Sequence, residues 1–300
     1  MIGYDRTSGA DLGLPLLCAT GTPDSKLHDK SSERQGCTME PILTGEPIPE
    51  ITPSDGERLD RVNHRLLLLQ KKSGQLFSTD ALLLAGYLRP SSAVAAELGS
   101  GSGIVSLLAL TRDKAAEIDA FELQPAYAAL TERNAALNRL SHRLRAVRAD
   151  VREESLRRHD RYEAVFANPP YMPAGGRENA DPEKTAARHE VFGGVAAFAE
   201  AAGRMLRTGG LFTAVCRPDR TVDLLSAMRN GNIEPKRLTP VLPKVGAAPC
   251  LILVEGKKGA KPSLYLTPVF CLKDADGQDS EEYRFLLENG SFPGVYMKKM

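Results

Sequence analysis

The sequence predicts an α/β fold: a seven-stranded, mostly parallel sheet with helices on both faces and an antiparallel pair at one edge. Three observations predict it. From about Arg58 onward, short apolar runs alternate with helix-length segments, the signature of βαβ units. One of these runs, "AVAAELGS", ends in a glycine-rich turn that leads straight into "GIVSLLALT". The last two long runs, "EPKRLTPVLP" and "APCLILVEGKKG", have no helix-length segment between them, so they pair antiparallel.

The elements follow in chain order. Residues 1 to 38 are rich in Gly, Ser, Thr and Asp, show no sustained period, and read as a disordered extension. Met39 opens a stretch that looks like a natural protein start, so residues 39–300 are expected to form a single domain with its core at about 58–277. "HRLLLLQKKSGQLF" reads as a short strand pair, and Ser78 or Thr79 can cap the helix "DALLLAGYL". "AVAAELGS" is a buried strand and "GIVSLLALT" a helix. "EIDAFEL", "LRAVRAD" and "YEAVFANPPY" are strands, the first two separated by the helix "QPAYAALTERNAALNRL". "GGVAAFAEAAGRML" is a helix, "GLFTAVCRP" a strand and "DRTVDLLSAMRN" a helix; "SLYLTPVF" lies beyond the final pair.

Composition narrows the class. The 300 residues carry 39 basic and 38 acidic side chains, a net charge of +1, so any nucleic-acid binding must rest on local patches. Five cysteines, with no CxxC or Cys/His cluster, argue against a disulfide framework or a metal site and for free thiols in a reducing cytosol. The longest apolar runs fall far short of the ~20 residues that span a bilayer, and the N-terminus lacks the pattern of a signal peptide.

The chemistry sits at strand ends. "ELGSGSG" places Glu97, Gly99, Gly101 and Gly103 between a strand and a helix. The dinucleotide fingerprint G-x-G-x-x-G does not fit, because Ile104 stands at its third glycine. Glu122 ends the next strand, 19 residues past Gly103, where an acid can accept from both ribose hydroxyls of a nucleoside. Asp150 ends the third strand and can accept from an adenine amino group. Either acid alone also reads as a helix cap or strand-end acid, but three such features at successive strand ends favour a ligand site. The fourth strand delivers "NPPY", Asn168 to Tyr171. Prolines stop a strand, and Pro169 and Pro170 also restrain the backbone around them. The Asn168 side-chain oxygen and the Pro169 carbonyl can hold the two N–H groups of a planar amine, and Tyr171 can stack on it.

The E-x-G-x-G-x-G pattern resembles motif I of the class I S-adenosylmethionine-dependent methyltransferases, and Asn-Pro-Pro-Tyr resembles their N6-adenine and glutamine-amide branch. "NPPYMPAGG" with "DPEKTAARHE", "GQLFSTDALLLA" and "PKRLTPVLPKVGAAPCLILVEGKKG" are similar to the bacterial tRNA1(Val) adenine-37 N6-methyltransferase family, over about Arg58 to Gly277. The resemblance implies a Rossmann-like fold, S-adenosyl-L-methionine as cofactor, a tRNA substrate and a cytoplasmic enzyme without a metal. It also implies that Phe77 and Thr79 border the methionine end of the cofactor and that Asp80 fixes that wall. From the residues alone, Phe77 reads equally as core, and Asp80 as a first-turn acid that complements a helix dipole. A protein-glutamine methyltransferase acting on release factors, and a non-catalytic cofactor- or RNA-binding module, stay open as alternatives.

Two further features bear on a substrate. The segment 172–190 is long for a connection and carries Arg177, Lys184, Arg188 and His189, which can meet RNA phosphates or simply form a solvated loop. "ERLDRVNHRLLLLQKK" is also basic and reads as a solvated face. The Pro249–Cys250 pair falls in a late strand, so Cys250 reads as a small core residue.

Overall fold

The computed structural model describes residues 51–73, 76–153, 160–169 and 194–298. The segment 1–50, the long connection 170–193 and the residues Pro170, Tyr171, Arg177, Lys184, Arg188 and His189 lie outside the described residues.

The chain opens with an antiparallel hairpin, β1 (Glu57–Asn63) and β2 (Leu66–Lys71), which forms a sheet of its own. The expected strand pair is therefore shifted upstream. The partner of "LLLLQK" is "ERLDRVN", and the chain reverses at His64 and Arg65, not near Ser73. Leu66, Leu67, Leu68 and Leu69 are all buried, because one face of β2 meets the main core and the other meets α3 (Pro125–Leu137). The outer edge of β2 finds its hydrogen bonds on that helix. Asn134 Oδ1 accepts from Leu69 N at 2.7 Å while its Nδ2 donates to Leu69 O at 2.9 Å; Asn138 does the same for Leu67. Four helical residues rise about 6 Å and two strand residues about 6.7 Å, so the two asparagines match the strand's repeat.

The main sheet contains β3 (Val94–Leu98), β4 (Glu117–Glu122), β5 (Leu144–Arg148), β6 (Tyr162–Ala167), β7 (Leu206–Cys216), β8 (Ile233–Leu242) and β9 (Leu251–Lys258). Their order is β8-β9-β7-β6-β3-β4-β5. All neighbours are parallel except β9, which runs antiparallel to both β7 and β8. The expected seven long strands and antiparallel pair are present, with β9 between β7 and β8. "SLYLTPVF" adds two short strands beyond β8, β10 (Tyr265–Leu266) and β11 (Phe270–Cys271). Pro268 stands between them and has no amide to donate.

Alternation along each strand feeds two cores. On one face Ala95, Ile118 and Phe166 meet α1 (Thr79–Tyr87) and α2 (Ile104–Leu110). On the other, Ala96, Leu98 and Val165 meet α4 (Gly194–Met205) and α5 (Thr221–Asn230). The C-terminal segment, where the sequence reading placed no element, forms α6 (Glu281–Asn289). Ser280 caps it by accepting from Tyr283 N, and Gly290 closes it in the left-handed region. Beyond α6, Phe292 and Tyr296 pack against Phe270 and Tyr87 in the first core.

Candidate active site

Parallel strands β3, β4, β5 and β6 end on one edge of the sheet, and that is where the chemistry-bearing residues gather. The turn after β3 is built on glycine. Gly99 and Gly103 hold φ of +70° and +79°, a region costly for residues with a Cβ. A Cβ on Gly103 would come within 2.8 Å of Thr131 Cγ2, and one on Gly99 within 3.0 Å of the Phe198 ring. Thr131 Oγ1 in turn donates to the Gly101 carbonyl at 2.9 Å, which ties the turn to α3.

Two acids hold this turn from below. Glu97, 2% exposed, accepts from the Ser106 amide at 3.0 Å and from the Ser106 hydroxyl. Burial pushes its carboxyl up to about 8, against the lowering effect of Ser106. Glu122, at the tip of β4, accepts from Gly101 N and from Gln124 N, each at 2.8 Å. Burial raises its pKa as well, and those backbone amides pull the other way. Each oxygen keeps a lone pair beyond the bond it accepts, so Glu122 is locked beside the glycine turn and still able to accept. Asp150, just past the end of β5, is paired with the Arg152 side chain at 2.6 Å, and that bond lowers its pKa.

Asn168 leaves β6 next to the glycine turn. Ala167 is in register with Leu98, so Asn168 follows beside Gly99, one strand spacing of about 4.8 Å away. Its Oδ1 is buried and has no hydrogen-bond partner among the described residues, and the same holds for the Ser100 hydroxyl. Such orphans are uncommon in a folded interior. Pro169 is buried behind Asn168. At the start of α1, Thr79 and Asp80 are half-buried, and Phe77 packs partly against the first core while its amide donates to Gln70 Oε1 at 2.9 Å. Burial raises the Cys250 thiol and the negative charge of Asp80 adds to it, so the head of α1 lies near the start of β9.

The structure thus brings Glu97, Gly99, Gly101, Gly103, Glu122 and Asn168 together; Asp150 lies one strand further out. Sequence reasoning missed Ser100, Ser106, Thr131 and Asn134, which complete or support the turn. Asn134 also donates to Ser102 O at 2.9 Å. Only α3's polar residues at a helical spacing, Thr131, Asn134 and Asn138, hinted at a helix face that must meet backbone.

The glycine cradle and two orphaned buried oxygens fit an adenosyl cofactor, and the fold with this site defines a class I S-adenosylmethionine-dependent methyltransferase. The chain belongs to the methyltransferase small domain family, whose model matches residues 75–225. A relative from Shewanella sediminis, named tRNA1(Val) (adenine(37)-N6)-methyltransferase, is 26% identical over 75% of this chain and 93% of its own length. A Porphyromonas gingivalis protein of the same name is 26% identical over 70% of this chain and 86% of its own. Among solved structures, a predicted O-methyltransferase from Agrobacterium tumefaciens shares the fold at a TM-score of 0.60 and 20% identity, covering 72% of this chain and 98% of that one. Among the described residues no helix is long and apolar enough to cross a membrane.

Proposed function

We propose that this chain methylates the exocyclic N6 of adenine in RNA, with adenosine-37 of a tRNA as target, in the cytoplasm. The observation that carries the reading is the Asn168 side-chain oxygen, buried beside the glycine turn without a partner among the described residues. The names of the relatives support the choice of tRNA.

An exocyclic amine is a weak nucleophile because its lone pair is delocalised into the ring. Asn168 Oδ1 and the Pro169 carbonyl accept its two N–H groups and favour a pyramidal nitrogen. Pro170 restricts the conformation of Pro169 and so orients that carbonyl. Tyr171 stacks on the base, and Arg177, Arg188 and His189 meet phosphates. Gly99, Gly101, Gly103, Glu97, Phe77 and Thr79 hold the cofactor's methionine end and its approach, Glu122 its ribose, and Asp150 its adenine amino group. When bound, S-adenosylmethionine supplies an electrophilic sulfonium methyl. Asn168 Oδ1 and the Pro169 carbonyl would aim the nitrogen at that methyl, and the amine would give up one proton to water as it is methylated. Positioning of the nitrogen supplies much of the rate.

The test is to incubate the protein and methyl-labelled cofactor with total tRNA, ribosomal RNA and release factor, then digest and identify the product. N6-methyladenosine in tRNA is the expected result. Methylglutamine in release factor, or no product despite cofactor binding, overturns the reading. Asn168→Ala removes one of the two acceptors, so turnover should fall at least a hundredfold, about 2.7 kcal/mol of barrier, with cofactor affinity largely kept in calorimetry. A fully active variant removes Asn168 from the mechanism.

A further inference from the structure

A base held at Asn168 brings its own phosphates to the same sheet edge. Beside β6 on that edge stands β7, in register through Ala167 and Ala214, and its last residue Cys216 hands on Arg217. Cys216 is paired with Ile252 of β9, and Leu251 with Val241 of β8, so the turn joining β8 to β9 projects from this edge too. That turn presents Lys244 and Val245, both exposed. It is a fixed structure: Val245 N donates to Lys273 O and Ala247 N to Lys244 O, each at 3.1 Å.

The charges on this edge are available. Lys244 has no ion-pair or hydrogen-bond partner for its ammonium among the described residues. Among the described residues Arg217 pairs only with the exposed Asp219, at 3.4 Å, and its side chain is 50% exposed; a pair of that kind is worth little in water. β7 and β8 are two strand spacings apart, which separates the two cations' anchor points by about 10 Å. Val245, 54% exposed, stands next to Lys244 on the fixed turn. An apolar side chain held in solvent next to a cation suits a ligand with both phosphates and flat apolar faces, which is the chemistry of an unpaired RNA strand.

We propose that Arg217 and Lys244 bind two backbone phosphates of the RNA strand flanking the target adenosine, with Val245 contacting a neighbouring base. This rests on the RNA reading above. The two cations flank the site on the β7–β8 side, and they give the substrate strand a direction across the sheet edge.

The test measures binding of a labelled transcript of the tRNA that the wild type methylates, or of valine tRNA if none is methylated, across a salt series. Each phosphate contact on a single strand contributes about 0.7 to the slope of log affinity against log salt. The double variant Arg217→Gln/Lys244→Gln should therefore lose about 1.4 from the slope. Between 50 and 200 mM salt, its affinity should then change about sevenfold less than the wild type's. A control of equal charge change, Lys257→Gln/Lys261→Gln at the opposite end of β9, should keep the wild-type slope. Val245→Ser should weaken binding with the slope kept. Calorimetry with S-adenosylmethionine checks that every variant is folded. If tRNA is methylated but the two double variants share one slope, the phosphate pair is overturned while the RNA reading stands. If the wild type neither binds nor methylates RNA and modifies release factor instead, both fall.

Discussion

Glu97 shows what one residue sets in this fold. It is a carboxyl enclosed beneath the glycine turn, held by Ser106 and raised by burial from an ordinary 4.5 to about 8. The unfolded chain ionises it near 4.5, whereas the folded chain keeps its proton to about 8. Its contribution to stability is therefore fully present below pH 4.5 and is lost as pH rises through 8. Glu97→Gln should remove that pH dependence, so the melting temperature of the cofactor-free variant should fall less than the wild type's between pH 5 and 8. Thermal melts across that range check it; parallel curves would show that Glu97 does not titrate there. Gly103 is constrained in a different way. Gly103→Ala meets both the left-handed cost and Thr131, whose hydroxyl is already engaged with Gly101 O. A loss of about 2 kcal/mol in urea unfolding is expected, with weaker cofactor binding in calorimetry.

At the scale of elements, α3 acts as a bracket. Its Thr131 holds the glycine turn, its Asn134 holds both that turn and β2, and its Asn138 holds β2 again. Asn134→Ala would strip partners from Leu69 N, Leu69 O and Ser102 O, all buried. A destabilisation of about 2–4 kcal/mol follows from unsatisfied buried groups, and amide exchange at Leu69 should quicken more than at Phe121 in the sheet centre. Equal protection at Leu69 in the variant and the wild type would mean that the hairpin is held by its leucines alone. The positions of β3 to β9 along the chain were readable because each strand carries its own apolar run. The β1–β2 hairpin was misplaced by several residues because "ERLDRVN" has no apolar run: its strand is defined by its partner, and Leu59 stays 43% exposed.

Distant stretches of the described chain are tied together by charge. Arg237 is wholly buried against Glu255 at 2.9 Å, lies 3.8 Å over the Tyr87 ring, and donates to the carbonyls of Tyr87 and Tyr296. Arg89 reaches the same Glu255 and the carbonyl of Met297. This cluster joins α1, β8, β9 and the chain beyond α6. Glu255→Ala leaves two arginines facing an empty partner, and a loss of about 3–5 kcal/mol is expected in urea unfolding. The double variant Arg237→Met/Glu255→Leu should lose less than Glu255→Ala alone. A double variant as damaged as the sum of its parts would show that the two residues act independently.

The glycine turn, the acids at the ends of β3, β4 and β5, and the Asn-Pro-Pro stop of β6 were all legible in the chain. Each is a local signal, a residue type required by backbone conformation or strand position within a few residues. The sequence by itself therefore determined the α/β class, the alternation of strands and helices and the sheet edge where the glycine turn, its acids and Asn168 gather. It also contained a cap signal for α6, Ser280 with Glu281 and Glu282 and a closing Gly290, that went unread because the short apolar run Phe285 to Leu287 is only partly buried. Tertiary structure alone decided that β9 enters between β7 and β8, which carries Lys244 to the edge shared by Asn168. It also decided that Asn134 would serve a strand 65 residues away and that Asn168's oxygen would be buried with no partner among the described residues. Those outcomes depend on which surfaces meet across long stretches of chain. Such pairings follow from the shape and burial of the whole core, and no short window of residues contains them.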